Sequence, residues 1–197
     1  ATTIRKEAPS ASLFHATGVA VDHARFADFS AEVVGTDPTD YDGSFVKVYI
    51  NASLDFENIK ATCSGYGAYG LYCSSTALLA LNFRNVDFNL TGGSGVVGGV
   101  YENNSANASL QEITLENCVV ECNGGGSMYG VMVANTDTVT INNSTIRLNG
   151  AANGAGIHLS NAPTDVCLTN SRLVVDNAGI GRYGYDLQAA TTGYLRM

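Results

Sequence analysis

The chain is poor in charge, in proline and in long apolar runs. Of its 197 residues 14% are charged, with 10 Lys and Arg against 18 Asp and Glu, for a net charge of −8 and a pI of about 4.6. The basic residues are scattered without a cluster, which excludes nucleic acid as a partner. No stretch approaches the roughly 20 uninterrupted apolar residues of a membrane span, so no membrane insertion is expected. No signal peptide is present, and a removed one would leave no trace. The 5 cysteines include no C-x-x-C pair, which argues against a zinc site and a disulfide framework. The calcium-binding nonapeptide G-G-x-G-x-D-x is absent too. The glycine clusters Gly92-Gly93-Ser94-Gly95 and Gly124-Gly125-Gly126 lack phosphate-loop spacing and read as turns. No metal or cofactor is expected. What the chain has is 45% hydrophobic residues, 22 glycines and only 3 prolines, enough for one long core.

Those residues are arranged periodically. Between Leu54 and Leu187 an apolar-x-apolar-x-Asn step is followed by alternating apolar residues and then by Gly-apolar-x-apolar. The asparagines are Asn58, Asn85, Asn117, Asn143 and Asn170, spaced by 27, 32, 26 and 27 residues. The restart glycines are Gly70, Gly99, Gly130, Gly156 and Gly184. A period of about 20–50 residues marks stacked units, each unable to bury its apolar face alone.

Apolar residues fall at every second position on both sides of each asparagine, as in Leu81/Phe83 before Asn85 and Val86/Phe88/Leu90 after it. Period two means strand. Because the alternation stays in phase across the asparagine, the chain bends there without reversing, and Asn tolerates the left-handed backbone such a bend needs. A third strand follows each glycine. The expected fold is all-β: a parallel β-helix of about six coils, a stack on the order of 30 Å tall. Residues 1–17 read as an N-terminal segment and 18–197 as the helix, whose degenerate first coil puts His23 at the asparagine position.

This pattern resembles the right-handed, pectate-lyase-like β-helix superfamily, whose two-residue bend carries an asparagine ladder. The resemblance implies a right-handed, single-stranded solenoid, and a groove beside the Gly-led strands where enzymes of the superfamily hold polysaccharide. The outward column of those strands reads Tyr72, Tyr101, Met132, His158, Asp186. Its aromatic rings could stack on sugar faces, and His158 with Asp186 could form an acid–base pair. Tyr183-Gly184-Tyr185-Asp186 is similar to the Tyr-Gly-Phe-Asp stretch of bacterial mannuronan epimerases, which implies catalytic roles for Tyr183 and Asp186. The chain departs from it with Leu187-Gln188 where that family has Pro-His. The restarts Gly98-Gly99-Val100-Tyr101 and Gly154-Ala155-Gly156-Ile157 resemble the Gly-Gly-Ala-Ile motifs of polymorphic outer-membrane adhesins, without the companion Phe-x-x-N motif.

Three further features stand out. Glu102 falls at an inward register position, where a carboxylate is costly unless paired, so the strand is expected to end or bulge there. The polar run 103–107 behind it reads as a binding loop. Among the cysteines only Cys63 and Cys73 come within geometric reach of a disulfide, and the favoured reading is small core hydrophobes. Sequons occur at Asn51, Asn89, Asn103, Asn107, Asn142 and Asn143, so host glycosylation is a candidate modification.

The functional expectation is an extracellular or cell-surface stalk, fibre component or adhesin. It would bind a glycan or host surface through Tyr72, Tyr101, His158 and Asp186. The alternative is a polysaccharide-active enzyme: a uronate lyase, an epimerase or a phage tailspike depolymerase. The last coil leaves Leu173, Val175 and Leu187 without an amphipathic helix to cap them. Further coils in a longer protein, or end-to-end contact with another subunit, are expected from this.

Overall fold

A computed structural model of the chain describes residues 2–9, 11–17, 21–36, 43–49, 52–73, 79–102, 111–134, 138–150, 153–159, 165–176, 182–187 and 194–196. Every regular element among them is a strand. In chain order these are β1 (Thr2–Ala8), β2 (Ser12–Ala16), β3 (Val21–Gly35), β4 (Ser44–Val48), β5 (Ala52–Gly65), β6 (Ala68–Cys73), β7 (Leu79–Gly92), β8 (Val96–Glu102) and β9 (Gln111–Glu116). They continue with β10 (Val119–Gly124), β11 (Ser127–Val133), β12 (Thr138–Asn142), β13 (Thr145–Asn149), β14 (Asn153–Leu159), β15 (Asp165–Thr169), β16 (Arg172–Asp176), β17 (Arg182–Leu187) and β18 (Tyr194–Arg196).

The strands form one sheet of 11 and one of 7, and every pairing is parallel. The smaller sheet runs β17-β14-β11-β8-β6-β4-β2, so its neighbours are never consecutive in the chain. Between any two of them the chain crosses to the larger sheet and returns one strand further along. That path is a parallel β-solenoid.

The larger sheet bends where the asparagines lie. Asn58, Asn85, Asn117, Asn143 and Asn170 all have positive φ, between 49° and 55°, in the left-handed region that Asn tolerates. In the first coils the side chains form a ladder: Asn85 Nδ2 donates to Asn58 Oδ1 at 3.0 Å, and Asn58 Nδ2 donates to Asp28 Oδ1 at 2.8 Å. The residue completing the ladder in the first bent strand is therefore Asp28 (φ 63°), and not His23 as expected from sequence. A short Asx side chain tolerates this backbone; an imidazole here would lose the carboxylate that Asn58 needs. His23 lies instead in the register shift between Val21 and Ala24.

The bend also explains why β5 and β7 run through it whereas later coils are broken there. In those later coils Cys118, Ser144 and Ser171 follow the asparagine, where β5 and β7 have Ile59 and Val86. Ser144 Oγ accepts the Cys118 N–H at 3.0 Å and donates to the Asn142 carbonyl at 2.8 Å. Ser171 Oγ likewise accepts from the Ser144 N–H at 3.1 Å and donates to the Thr169 carbonyl at 2.9 Å. Side chains here take over bonds that a strand ladder would otherwise make. The hydroxyls of Ser144 and Ser171 thus serve the backbone.

Inside, columns of like residues stack one coil above another. Phe26, Phe56 and Phe83 pair in register, and their rings lie parallel at 5.3 and 5.1 Å. Facing them, the restart glycines let the smaller sheet approach the larger. A Cβ on Gly130 would sit 2.2 Å from Ile146 Cγ2 and 2.5 Å from the Gly156 carbonyl oxygen; one on Gly99 would sit 2.4 Å from Val120 Cγ1. Any side chain there would push the sheets apart.

The described part of β8 ends at Glu102, as expected, and this residue is fully buried there, in register with Cys73, with its Oε2 accepting the Ala134 N–H at 2.7 Å. This bond to a backbone amide of the following coil gives the buried carboxyl group a partner inside. One sequence expectation is revised: parallel pairing starts before residue 18, since β1 pairs with the second half of β3 and β2 with β4. All five cysteines are free, with Cys63, Cys73, Cys118 and Cys122 buried in the core.

Candidate functional site

On the outer face of the 7-stranded sheet the register brings together the column expected from sequence. Tyr72 pairs with Tyr101, Tyr101 with Met132, Met132 with His158, and His158 with Asp186. The column extends the other way through Lys47 and His15. A parallel column three residues upstream of each member runs Tyr69, Gly98, Tyr129, Ala155, Tyr183. The sequence expectation missed Tyr69 and Tyr129, although both announce themselves as the residue just before a restart glycine.

Together the rings make a continuous stripe along the solenoid axis. Tyr72 and Tyr101 stack at 5.9 Å with planes 15° apart, and Tyr69 packs at 5.2 Å from each. The stripe continues from Tyr101 to Tyr129 at 6.2 Å and from Tyr129 to His158 at 5.3 Å. At its other end Tyr49 lies 6.4 Å from Tyr72 and 5.4 Å from His15. Lys47 Nζ stands 5.5 Å from the Tyr72 ring centre, within cation–π range. Gly98 makes the close packing feasible, since a Cβ there would meet Tyr101 Cβ at 3.0 Å.

The rings are unevenly exposed. Tyr69 is fully buried, Tyr101 is 8% exposed and His158 5%, whereas Tyr49 (37%) and Tyr183 (50%) are open and Tyr72 and Tyr129 are half-buried. A ligand stacking on this face would meet Tyr49, Tyr72, Tyr129 and Tyr183, with Tyr69 and Tyr101 as their support. Backbone register places His158 and Asp186 one coil apart. The Asp186 side chain lies outside the described residues.

A different surface covers the outside of the 11-stranded sheet before the bend. Here the charges form a chain across coils: Arg25 Nη2 bonds Glu57 Oε2, Arg84 Nη1 approaches Glu57 Oε1 at 3.9 Å, and Arg84 Nε reaches Glu116 Oε2 at 3.2 Å. The Glu57 hydrogen bond, and then its charge, push the Arg25 guanidinium above its ordinary pKa, so it stays protonated. Beside this chain Asn82 Nδ2 donates to Asp55 Oδ1 at 2.8 Å, and His23 Nε2 lies 3.5 Å from Asp55 Oδ2.

Of the sequons, Asn89 is exposed on β7 and its Oδ1 accepts from Asn123 at 3.3 Å. Asn142 is half-buried at the end of β12, and Asn143 is exposed within the bend. Asn51, Asn103, Asn107 and the loop 103–107 lie outside the described residues. Among the described residues no three His, Cys, Asp or Glu side chains converge to hold a metal ion, and no helix is long and apolar enough to cross a membrane. The fold defines the class, a parallel β-solenoid. Compared with protein-family models, with curated proteins and with solved structures, the chain matches none.

Proposed function

We propose that the chain is an extracellular or cell-surface β-solenoid, a stalk, fibre component or adhesin, that binds glycan along the ring stripe of its smaller sheet. The observation supporting this is the unbroken run of rings from His15 to His158, open at Tyr49, Tyr72 and Tyr129 and flanked by Lys47. Tyrosine offers a large, stiff contact face with a polar edge, which suits a ligand that is apolar on its ring faces and polar at its rim. A pleated sheet repeats such a face at every coil, about 4.8 Å apart, so an extended chain molecule can be gripped at several points at once.

A glycan array probed with the parent and with Tyr49→Ala and Tyr72→Ala tests this. Glycan binding that each substitution weakens at least tenfold is expected. Binding indifferent to both would remove the stripe from consideration. The second reading, a polysaccharide-active enzyme, rests on the register of His158 with Asp186 and on exposed Tyr183 in the neighbouring column. Incubation with alginate and pectate, followed for unsaturated ends or for proton exchange at the uronate carbon, is expected to show no turnover. Turnover lost in Asp186→Asn or Tyr183→Phe would favour the enzyme.

A further inference from the structure

The outer face of the larger sheet carries a groove of about 310 Å³, on the other sheet from the ring stripe, lined by Arg25, Asp55, Glu57, Asn82 and Arg84. We propose that this groove is a second binding site, for a neutral, hydroxyl-rich ligand: one hexose unit of an uncharged saccharide.

Size, charge and order each point this way. The volume stands at the small end of the roughly 300–1,000 Å³ typical of small-molecule sites, room for a single ring. The floor is acidic and largely withdrawn from water, with the side chains of Glu57 20% and Asp55 33% exposed. The walls are the guanidinium groups of Arg25 and Arg84, one coil to either side of Glu57. A ligand of fixed negative charge would be pressed against Asp55 and Glu57, and one of fixed positive charge against Arg25 and Arg84. A hydroxyl group suits both, because it donates to a carboxylate and accepts from a guanidinium or amide. Adjacent hydroxyls on one sugar ring can do both at once.

The groove is also set in place before any ligand arrives. Arg25 is bonded to Glu57, Arg84 is held between Glu57 and Glu116, and Asn82 is bonded to Asp55. Long side chains already fixed in this way lose less freedom on binding. Asp55 keeps acceptor capacity beyond its bond from Asn82, since an ionised carboxylate offers about four lone-pair sites. Phe56 also lines the groove but is only 1% exposed, so no open ring face is offered to a sugar there; a single sugar ring should bind weakly, and a titration at millimolar sugar is the suitable measurement.

The test is a nuclear magnetic resonance titration of the full chain with maltose, cellobiose, lactose and mannobiose, and with digalacturonate as the charged comparison. At least one neutral disaccharide is expected to shift backbone amides of β5 and β7. Asp55→Asn, which keeps shape and removes charge, and Asn82→Ala should each weaken that binding at least tenfold. Tyr72→Ala should leave it unchanged, so that failure here and failure of the ring stripe are told apart. The proposal is overturned if no neutral disaccharide moves those amides, or if digalacturonate binds more tightly than all of them. Loss in Tyr72→Ala with Asp55→Asn intact would assign the sugar to the other sheet and overturn it equally.

Discussion

Replacing Phe88 by alanine should be among the most damaging single changes in the molecule. Phe88 is 1% exposed and stands in register with Ala61 below and Val120 above. Its ring lies edge-on to Phe83 at 5.5 Å and to Phe45 at 5.9 Å. Its far side reaches Gly70 on the smaller sheet, where an added Cβ would be only 3.0 Å from Phe88 Cδ1. Truncating a buried Phe costs about 3–5 kcal/mol, depending on how far the site can collapse. Here collapse is resisted, because the backbone on both sides is held by parallel ladders to the coils above and below. The expected cost therefore lies toward the upper end. Asp87, one residue earlier and half-buried on the outer face, should lose no more than about 0.5 kcal/mol on change to alanine. Urea unfolding followed by far-ultraviolet circular dichroism measures both, with the slope m compared, since a solenoid that frays coil by coil would change m as well as the midpoint. A Phe88→Ala cost below about 1 kcal/mol, or one equal to that of Asp87→Ala, would refute the register argued here.

Three other outcomes follow from the same geometry. Gly130→Ala puts a Cβ 2.2 Å from Ile146 Cγ2, whereas at Gly184 nothing lies within 4 Å. Thermal melts should show the first destabilised by at least about 1–3 kcal/mol and Gly184→Ala changed by no more than about 0.5. Asn85→Ala should cost about 2 kcal/mol, losing the ladder bond and straining the left-handed backbone, and Asn85→Gly about half of that, since glycine keeps the backbone free; equal losses would deny the bend its conformational role. Burial pushes the Cys122 thiol up to about 12 and the Cys118 thiol to about 11. The folded chain then holds protons that the unfolded chain releases above about pH 9, so stability is full below that pH and falls as pH rises toward 11 or 12. Cys122→Val should flatten this alkaline fall in urea midpoints measured between pH 8 and 11; an unchanged slope would show that the thiol does not contribute to it.

What was legible in the sequence was whatever repeats from coil to coil. Strand period, bend and restart glycine each recur, and the five asparagines named from spacing all hold left-handed backbone. The first bend was misread because an exact residue was sought where chemistry allows a class: Asp28 does what Asn does, five residues beyond His23. The strand Thr2–Ala8 escaped notice for a related reason. It is exposed along nearly its whole length, so it lacks the alternation by which the others are recognised. The end of the strand at Glu102 was legible, but the partner of its carboxyl group, the Ala134 amide, was not, because it lies 32 residues away. The ion pairs among Arg25, Glu57, Arg84 and Glu116 were hidden likewise. Each residue reads alone as an outward polar position, and only the strand register shows that Glu57, Arg84 and Glu116 stand one above another, with Arg25 one coil away opposite Asp55.

That contrast bears on function. Inward positions are constrained by stacking on like neighbours, so they vary little from coil to coil: Leu54, Leu81, Ile113, Val139 and Val166 make one column. Outward positions carry no such demand, and the column Lys47, Tyr72, Tyr101, Met132, His158, Asp186 changes chemistry at almost every step. Where the core does not require a residue, its presence needs another cause. The open rings of Tyr49, Tyr72 and Tyr129 on one sheet and the alternating charges on the other are not explained by the core, whereas Tyr69, Tyr101 and His158 are buried and pack beneath them. Because the two runs occupy different sheets, each can be changed without disturbing the register of the other. A solenoid separates its stability from its surface chemistry in this way, and loss of binding from an outward substitution that leaves the melting curve unchanged can be read as loss of a contact.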